Sequence, residues 1–407
     1  MKVVITAHGS RGDVYPMVAV AQMFVNNGHT VTMLTQNTFH DELKSRNIKG
    51  VYLFSDITKE MQTLNENAAS VSKSITWAQK SLKDEFEHLK ILGKDADLLI
   101  CTNNEFSVSS IAEAYNIPAF RVAYIPSIPG KNVPPIIPWQ NIPEFLSPSA
   151  WWLINKGLDF LALKTANKQR QSLGLKPIKS LSKHFMDTYI NLFGFNKTLA
   201  PPHSSWPENS HTYCGYPFET QSDDIPKNIK DFLNKGPSPI YLGFGSVTVK
   251  NPQKFTKMVL DAAKMANVRL VLSEGWTGLG QDEMPSYAIK APQLSHDNLF
   301  KNMAAICHHG GAGTTHRAAK AGVPQLIMPI IVDQFFWGDR ISKLNLGPKP
   351  VTPGKLTSKK LANLFIEITT NINYSNNAKR VAKKINSENG AEEIFNIITK
   401  KMRQAAA

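Results

Sequence analysis

Apolar and polar positions along the chain fall into short buried runs separated by amphipathic stretches, and this alternation appears as two series. In the first, the apolar run 3–6 passes through the polar turn AHGSRGDVYP into a helical-period stretch, 17–26, that stops at Asn27-Gly28. A strand at 29–34 follows, then a strand at 98–101, a helix at 107–115 and a strand at 119–122. The second series opens with a strand at 240–244 and the turn GFGSVT. It continues with a helix near 255–265 and strands at 269–272 and 304–307, then a helix at 312–321 ended by Gly322 and Pro324, and a strand at 325–328. Strands alternating with helices at this rhythm predict an α/β fold with parallel, doubly wound sheets, one per series. Between 125 and 160 the rhythm breaks into proline-rich, aromatic sequence. Residues 216–239, rich in Pro, Asp, Lys and Asn, read as a linker. The expected division is therefore a Rossmann-like domain over 1–215, a linker over 216–239, a second Rossmann-like domain over 240–370, and basic helices over 371–407 packing back on the first domain.

Composition narrows the class. A chain of 407 residues, 42% hydrophobic, has material for two cores. Three cysteines (Cys101, Cys214, Cys307) stand far apart with no CxxC spacing, which argues against a disulfide scaffold or zinc site and for a reducing, cytoplasmic setting. The opening MKVVITAHGS reads as a strand and turn rather than a secretory leader, and no apolar run reaches the roughly 18 residues that span a bilayer. Lys and Arg number 46 against 32 Asp and Glu, a formal +14, which favours an anionic partner: nucleic acid, an anionic lipid surface or a phosphorylated substrate. There is no helix-turn-helix, RNP or zinc-finger signature, so nucleic acid is set aside and peripheral contact with an anionic membrane is retained.

The segment His308-His309-Gly310-Gly311-Ala312-Gly313-Thr314-Thr315 is the most informative stretch. A buried strand, a glycine-rich turn and a helix opening on small residues leave free backbone N–H groups at a positive helix end, an anion site whose usual occupant is phosphate. The hydroxyls of Thr314 and Thr315 and a histidine can add donors. A tight strand-to-helix turn without a ligand is the competing reading. Two doubly wound domains with glycine turns at the carboxyl ends of their strands place a ligand in the cleft between them.

With these motifs the chain resembles the GT-B-fold UDP-glycosyltransferases. Within that family it is most similar to the branch of sterol 3-β-glucosyltransferases and glycopeptide-antibiotic glycosyltransferases. The matching pieces are GSRGDVYP, GFGS at 243–246, LSEGW at 272–276, and the block from APQLSHDNLF through HHGGAGTTHRAAKAGVPQLIMP to DQFFWGDR. The likeness is strong in the second half and weaker between about 40 and 210.

The resemblance implies a nucleotide-sugar donor, UDP-glucose first and a dTDP-sugar second, with no separate cofactor and no metal. It places the donor phosphates on His309 and on Gly311, Ala312, Gly313 and Thr314, with Ser10, Arg11 and Ser246 completing the floor. His308 is expected to bond beneath the loop. Leu294 and His296 match positions at the base and ribose, with Trp276 walling the base. Asp333 and Gln334 match a pair that hydrogen-bonds the sugar hydroxyls; an Asp-Gln helix cap is their bland reading.

Asp13, after the first glycine turn, stands where plant relatives carry a histidine in a G-H-x-x-P pattern. A carboxylate or imidazole there accepts the proton of the attacking hydroxyl. His8 is the rival base, and a turn or cap role the alternative for Asp13. The segment 124–163 falls where the family builds its acceptor pocket, with Pro126, Ile136, Trp139 and Trp151 as candidates. The function so implied is inverting transfer of a sugar to a hydroxyl of an apolar acceptor: a sterol, a lipid or a polycyclic natural product. An epimerase-like GT-B enzyme, a dTDP-sugar-dependent enzyme and a binding protein with a degenerate site are the alternatives. Asp95-Ala96-Asp97 mimics a metal-gripping D-x-D but runs directly into LLIC, which makes these strand-entry carboxylates.

Overall fold

The computed structural model describes residues 1–53, 71–103, 105–129, 135, 142–220, 224–245, 251–273, 284–292 and 294–406. The first seven strands form one sheet in the order β3-β2-β1-β4-β5-β6-β7. They are β1 (Lys2–Thr6), β2 (Thr30–Gln36), β3 (Lys49–Leu53), β4 (Leu98–Cys101), β5 (Ala119–Ala123), β6 (Ile190–Phe193) and β7 (Thr212–Tyr213). The second sheet has the order β10-β9-β8-β11-β12, from β8 (Ile240–Gly243), β9 (Leu270–Ser273), β10 (Ala288–Ala291), β11 (Ala305–His308) and β12 (Gln325–Ile327). Every described pairing is parallel. These short strands are apolar nearly throughout because helices cover both faces; β4, LLIC, is buried at every position.

In each sheet the strand order reverses beside its first strand, between β1 and β4 and between β8 and β11, so the crevices at the carboxyl ends of these strands are where ligands bind in such folds. The turns after β1 and β11 open onto those crevices. Both lead into helices, Arg11–Asn26 and Ala312–Ala321.

Two boundaries depart from the sequence expectation. The first helix begins at Arg11, not near residue 17, because Ser10 and Asp13 form a reciprocal cap that starts it early. Pro16 therefore lies inside it, lacking the N–H that would bond the Gly12 carbonyl. The stretch 216–239 is also more than a tether. It carries a helix, Lys227–Asn234, whose Ile229 and Phe232 are buried against Tyr241, Val271 and Phe300 of the second domain. Tyr216 is buried in the first domain's core.

The two halves share apolar packing. Ala123, Phe193 and Phe195 from the first domain lie in one cluster with Ile327, Trp337 and Ile341 from the second half. The helix Gly390–Ala406 returns to the first domain, burying Ile394 and Ile398 beside the Arg11–Asn26 helix, with the Phe395 ring edge-on to Phe24 at 4.9 Å. Cys101, Cys214 and Cys307 are all buried thiols. Among the described residues no helix is long and apolar enough to cross a membrane. Asp97 accepts the Lys2 backbone N–H at 2.7 Å, the strand-entry role expected of it.

Candidate active site

The turn after β1 is shaped by one carboxylate. Asp13 Oδ2 accepts both the backbone N–H and the hydroxyl of Ser10, each at 2.8 Å. Gly9 takes φ +130°, and a Cβ there would meet Asp13 Oδ2 at 2.6 Å, so only glycine fits. Burial raises the Asp13 pKa above the usual carboxylate range; the Ser10 hydrogen bonds and the His8 charge oppose that shift. Asp13 is half-buried and stands in the first turn of its helix.

The rival base is committed elsewhere. His8 Nε2 lies 3.1 Å from Glu85 Oε2, and its backbone N–H reaches Glu105 Oε1 at 3.3 Å. Burial alone would lower its pKa, but the Glu85 hydrogen bond and the Glu105 charge outweigh it and raise it to about 9. An imidazolium held in this way is not poised to take a proton near neutrality.

Across the crevice, the turn after β11 divides its two histidines. His308 is fully buried beneath the loop: its Nδ1 accepts the Gly310 N–H at 3.1 Å, which leaves Nε2 to donate to Gln325 Oε1 at 2.9 Å. His309 points the other way, over the glycines. Its Cε1 lies 3.3 Å from where a Cβ of Gly245 would be, its Nε2 2.5 Å from where one of Gly311 would be, and its Nδ1 is buried without a partner. Burial lowers the His309 pKa to about 4, so the ring is neutral. The half-buried Gly311, Ala312, Gly313 and Thr314 open the helix beside it. Thr315 does not face the site; its buried hydroxyl donates to the Gly311 carbonyl at 2.9 Å.

The two turns meet. A Cβ on Gly313 would lie 3.9 Å from Gly12 Cα and 3.0 Å from the Tyr216 hydroxyl. The Asp13 charge adds to the burial that lifts Asp333 to about pKa 7, and the charges of His309 and Arg11 add to the burial and the Arg317 charge that push His296 down to about 3. Ser10, Arg11 and Asp13 thus stand opposite His296, His309 and Asp333 around one crevice. His296 stacks on Phe300 at 4.3 Å, its Nε2 3.4 Å from the Tyr241 hydroxyl, and Leu294 is half-buried just before it.

Asp333 and Gln334 open the helix Val332–Lys343. Gln334 is buried, and its Oε1 accepts the N–H groups of Ile330 and Ile331 at 2.8 and 3.0 Å, so the cap role is real and only its amide N–H₂ is left for a ligand. Of the acceptor candidates, Pro126 is buried and Trp151 half-buried. Ile136 and Trp139, like Ser246 and Trp276, lie outside the described residues. Elsewhere in the 124–163 segment Phe145, Trp152, Leu153 and Phe160 are exposed.

Sequence reasoning missed the contribution of the supposed linker. Tyr216 stacks on His316 at 4.5 Å and 19°, while His316 Nδ1 donates to the Ala312 carbonyl and its Nε2 accepts the Asn196 N–H. Glu219 receives Arg46 at 2.6 Å from the first domain, and its carbonyl accepts Arg317 of the second at 3.0 Å; Arg317 also pairs with Asp297 at 2.8 Å. The aromatic and acidic string CGYPFE was the available signal.

Residues 3–133 match the profile of the glycosyltransferase family 28 N-terminal domain, and residues 279–400 that of the erythromycin biosynthesis protein CIII-like C-terminal domain. The sterol 3-beta-glucosyltransferase of Komagataella phaffii is 29% identical over 436 residues, covering 99% of this chain and 35% of the relative. That of Kluyveromyces lactis is 30% identical over 414 residues, covering 94% of this chain and 33% of the relative. The chain thus spans about a third of the length of these curated relatives. The solved glycotransferase of kitacinnamycin superposes with a TM-score of 0.77 at 13% identity, covering 98% of each chain. The calicheamicin glycosyltransferase does so at 0.72 and 16%, covering 100% of this chain and 99% of its own. These structural likenesses establish the GT-B arrangement of two Rossmann-like domains.

Proposed function

The chain belongs to the GT-B-fold UDP-glycosyltransferase family, and on that premise we propose that it is an inverting glycosyltransferase moving glucose from UDP-glucose to a hydroxyl of a sterol or comparable apolar acceptor. The observation that carries this reading is the meeting of the two glycine turns, with a carboxylate on one side and a neutral histidine beside a free helix end on the other.

In the proposed reaction the acceptor oxygen attacks C1 of the sugar as the bond from C1 to the phosphate oxygen breaks, inverting that carbon. Asp13 takes the hydroxyl proton. The pair of electrons leaves on UDP, whose diphosphate is held by the N–H groups at Ala312, Gly313 and Thr314, by His309, and by the positive end of their helix. Arg11 and Ser10 approach it from the first domain. Asp333 and the amide of Gln334 hold the sugar hydroxyls, and Leu294 and His296 the ribose and base. The fold division 1–215, 216–239, 240–370 and 371–407 then assigns the acceptor to the first domain and the donor to the second. The basic balance of the chain fits work at the cytoplasmic face of an anionic membrane, in peripheral contact.

The test is direct. Purified protein is screened for thermal stabilisation by UDP- and dTDP-sugars, and the best donor is then incubated with sterols and other apolar alcohols while UDP release and glycoside mass are followed. Formation of a β-linked steryl glucoside in step with UDP confirms the reading. UDP release with no glycoside, or stabilisation by dTDP-sugars alone, overturns it.

A further inference from the structure

Residues 144–172 form one continuous helical stretch: a 3-10 turn Glu144–Leu146, a helix Ser147–Leu158, a π-turn Asp159–Leu163 and a helix Lys164–Ser172. Helices on a globular surface normally turn their apolar stripe inward. This one does the reverse over its first half. Phe145, Trp152, Leu153 and Phe160 are 77%, 62%, 65% and 83% exposed, and within the helix Ser147–Leu158 only Ser147 is buried. Their spacing of seven, one and seven residues puts them along one face, which Lys156, four residues after Trp152, Lys164, four after Phe160, and Lys168, four further on, share. An exposed apolar stripe of this size marks a contact surface rather than ordinary scatter.

The charges around it name the occupant. From Phe160 to Met186 the sequence contains no Asp or Glu, whereas Lys164, Lys168, Lys176, Lys179 and Lys183 are all exposed. Arg170, the other cation of that stretch, is buried on Glu113 at 2.7 Å. The acids at its edges are Glu144, Asp159 and Asp187; Asp159 accepts the Leu181 N–H, and Asp187 pairs with Lys183. A second copy of the chain would bring the same lysines against themselves. A lipid surface with anionic headgroups meets both features at once, taking the rings and Leu153 into the acyl boundary while the lysines reach the phosphates.

We propose that the face carrying Phe145, Trp152, Leu153 and Phe160, rimmed by Lys156, Lys164 and Lys168, docks this protein on an anionic lipid bilayer. It deepens the glycosyl-transfer reading, on which its purpose rests: an apolar acceptor resides in a bilayer, and this face belongs to the first domain, to which the acceptor is assigned.

Binding is read by vesicle flotation of the whole chain, without substrates, on phosphatidylcholine alone and on phosphatidylcholine mixed with phosphatidylserine. Binding to the mixed vesicles, weakened by salt and absent from the neutral ones, is expected. Trp152→Ser combined with Leu153→Ser and Phe160→Ser should abolish it, with the melting temperature and UDP affinity kept. Lys164→Gln and Lys168→Gln should each weaken it roughly fivefold. Wild-type protein that floats with neither vesicle overturns the proposal, as does a triple variant that floats as well as wild type. A wild-type dimer dissolved by the triple substitution, without flotation, overturns it in favour of self-association. Glucosylation of detergent-dispersed sterol by a protein that does not float would sink the docking face and leave the activity standing; flotation without any transfer would do the opposite.

Discussion

Asp13→Asn separates a catalytic carboxylate from a structural one. In the native turn, Oδ2 accepts the Ser10 N–H and hydroxyl at 2.8 Å each. The asparagine carbonyl can accept both, so the cap survives; the charge that is lost favours a helix N-terminus by about 0.3–1 kcal/mol, but burial disfavours it, so the two effects oppose each other and stability changes little. Removing a general base costs about 10²- to 10⁴-fold in rate, or roughly 3–5 kcal/mol of barrier at 1.36 kcal/mol per tenfold. The kinetic effect therefore exceeds the stability effect several-fold, and the two are read separately: kcat from UDP release with UDP-glucose and acceptor, stability from thermal unfolding, donor binding from calorimetry with UDP. The expected variant melts within a few degrees of wild type, binds UDP normally and turns over at least a hundredfold more slowly, a loss of the order set by the missing base. In wild type the rate should rise with pH as the carboxylate ionises, and burial places that rise above the ordinary carboxylate range; the variant's residual rate should lack this limb. A variant keeping more than about a tenth of kcat refutes Asp13 as the base. One that no longer binds UDP makes it a shaper of the phosphate turn.

His309→Ala removes a side-chain donor whose buried Nδ1 has no partner among the described residues. A hydrogen bond to a charged group contributes about 1.5–3 kcal/mol, so the UDP dissociation constant should rise roughly ten- to a hundredfold by calorimetry, and an unchanged value removes His309 from the phosphates. Asp333→Ala should weaken UDP-glucose far more than UDP, and equal losses would mean that it holds the fold. Gln334→Ala should in addition lower the melting temperature, because two N–H groups lose their acceptor; a normal melting temperature contradicts that cap. Asp333 has a folded pKa of about 7 against an ordinary 3.8, so its contribution favours the folded state below pH 4 and is lost as pH rises towards 7. Asp333→Asn should flatten that part of the stability–pH curve in chemical denaturation, and an unaltered slope would show that the carboxylate titrates normally.

Most of the sheet architecture was legible because both series obey one rule: apolar runs too short for helices, the first run of each series ending in a turn with glycine. The helices 107–115 and 312–321 were read at the boundaries they have, the second because its stop at Gly322 and Pro324 is encoded locally. Where reading failed, the deciding interaction was nonlocal or reciprocal. The early start of the first helix rests on the mutual Ser10–Asp13 cap, which outweighs the break that Pro16 signals. The supposed linker was judged on polarity, yet Tyr216, Ile229 and Phe232 are buried by residues far away in sequence. That His308 bonds beneath the loop, apart from His309, was legible from the paired histidines. That Gln325 anchors the former was not, since it depends on β11 and β12 pairing. The aromatic segment after residue 124 was the least legible. Composition signals apolar surface but not its direction, and much of that surface faces outward.

The electrostatics of the crevice divide its labour. On the proposed donor side His296, His308, His309 and His316 are all held neutral by burial, so a diphosphate bound there would meet N–H donors and a helix dipole instead of fixed histidine charges. Preorganised neutral donors gain little from an empty site and much from negative charge that builds up on a departing group, which is the condition for stabilising a transition state over a ground state. Across the crevice, the charge of Asp13 from the first domain adds to the burial that disfavours ionisation of Asp333 in the second. In the proposed reaction a sugar held there would give Asp333 hydroxyls to bond, and the positive charge developing at C1 would favour the ionised form of both carboxylates.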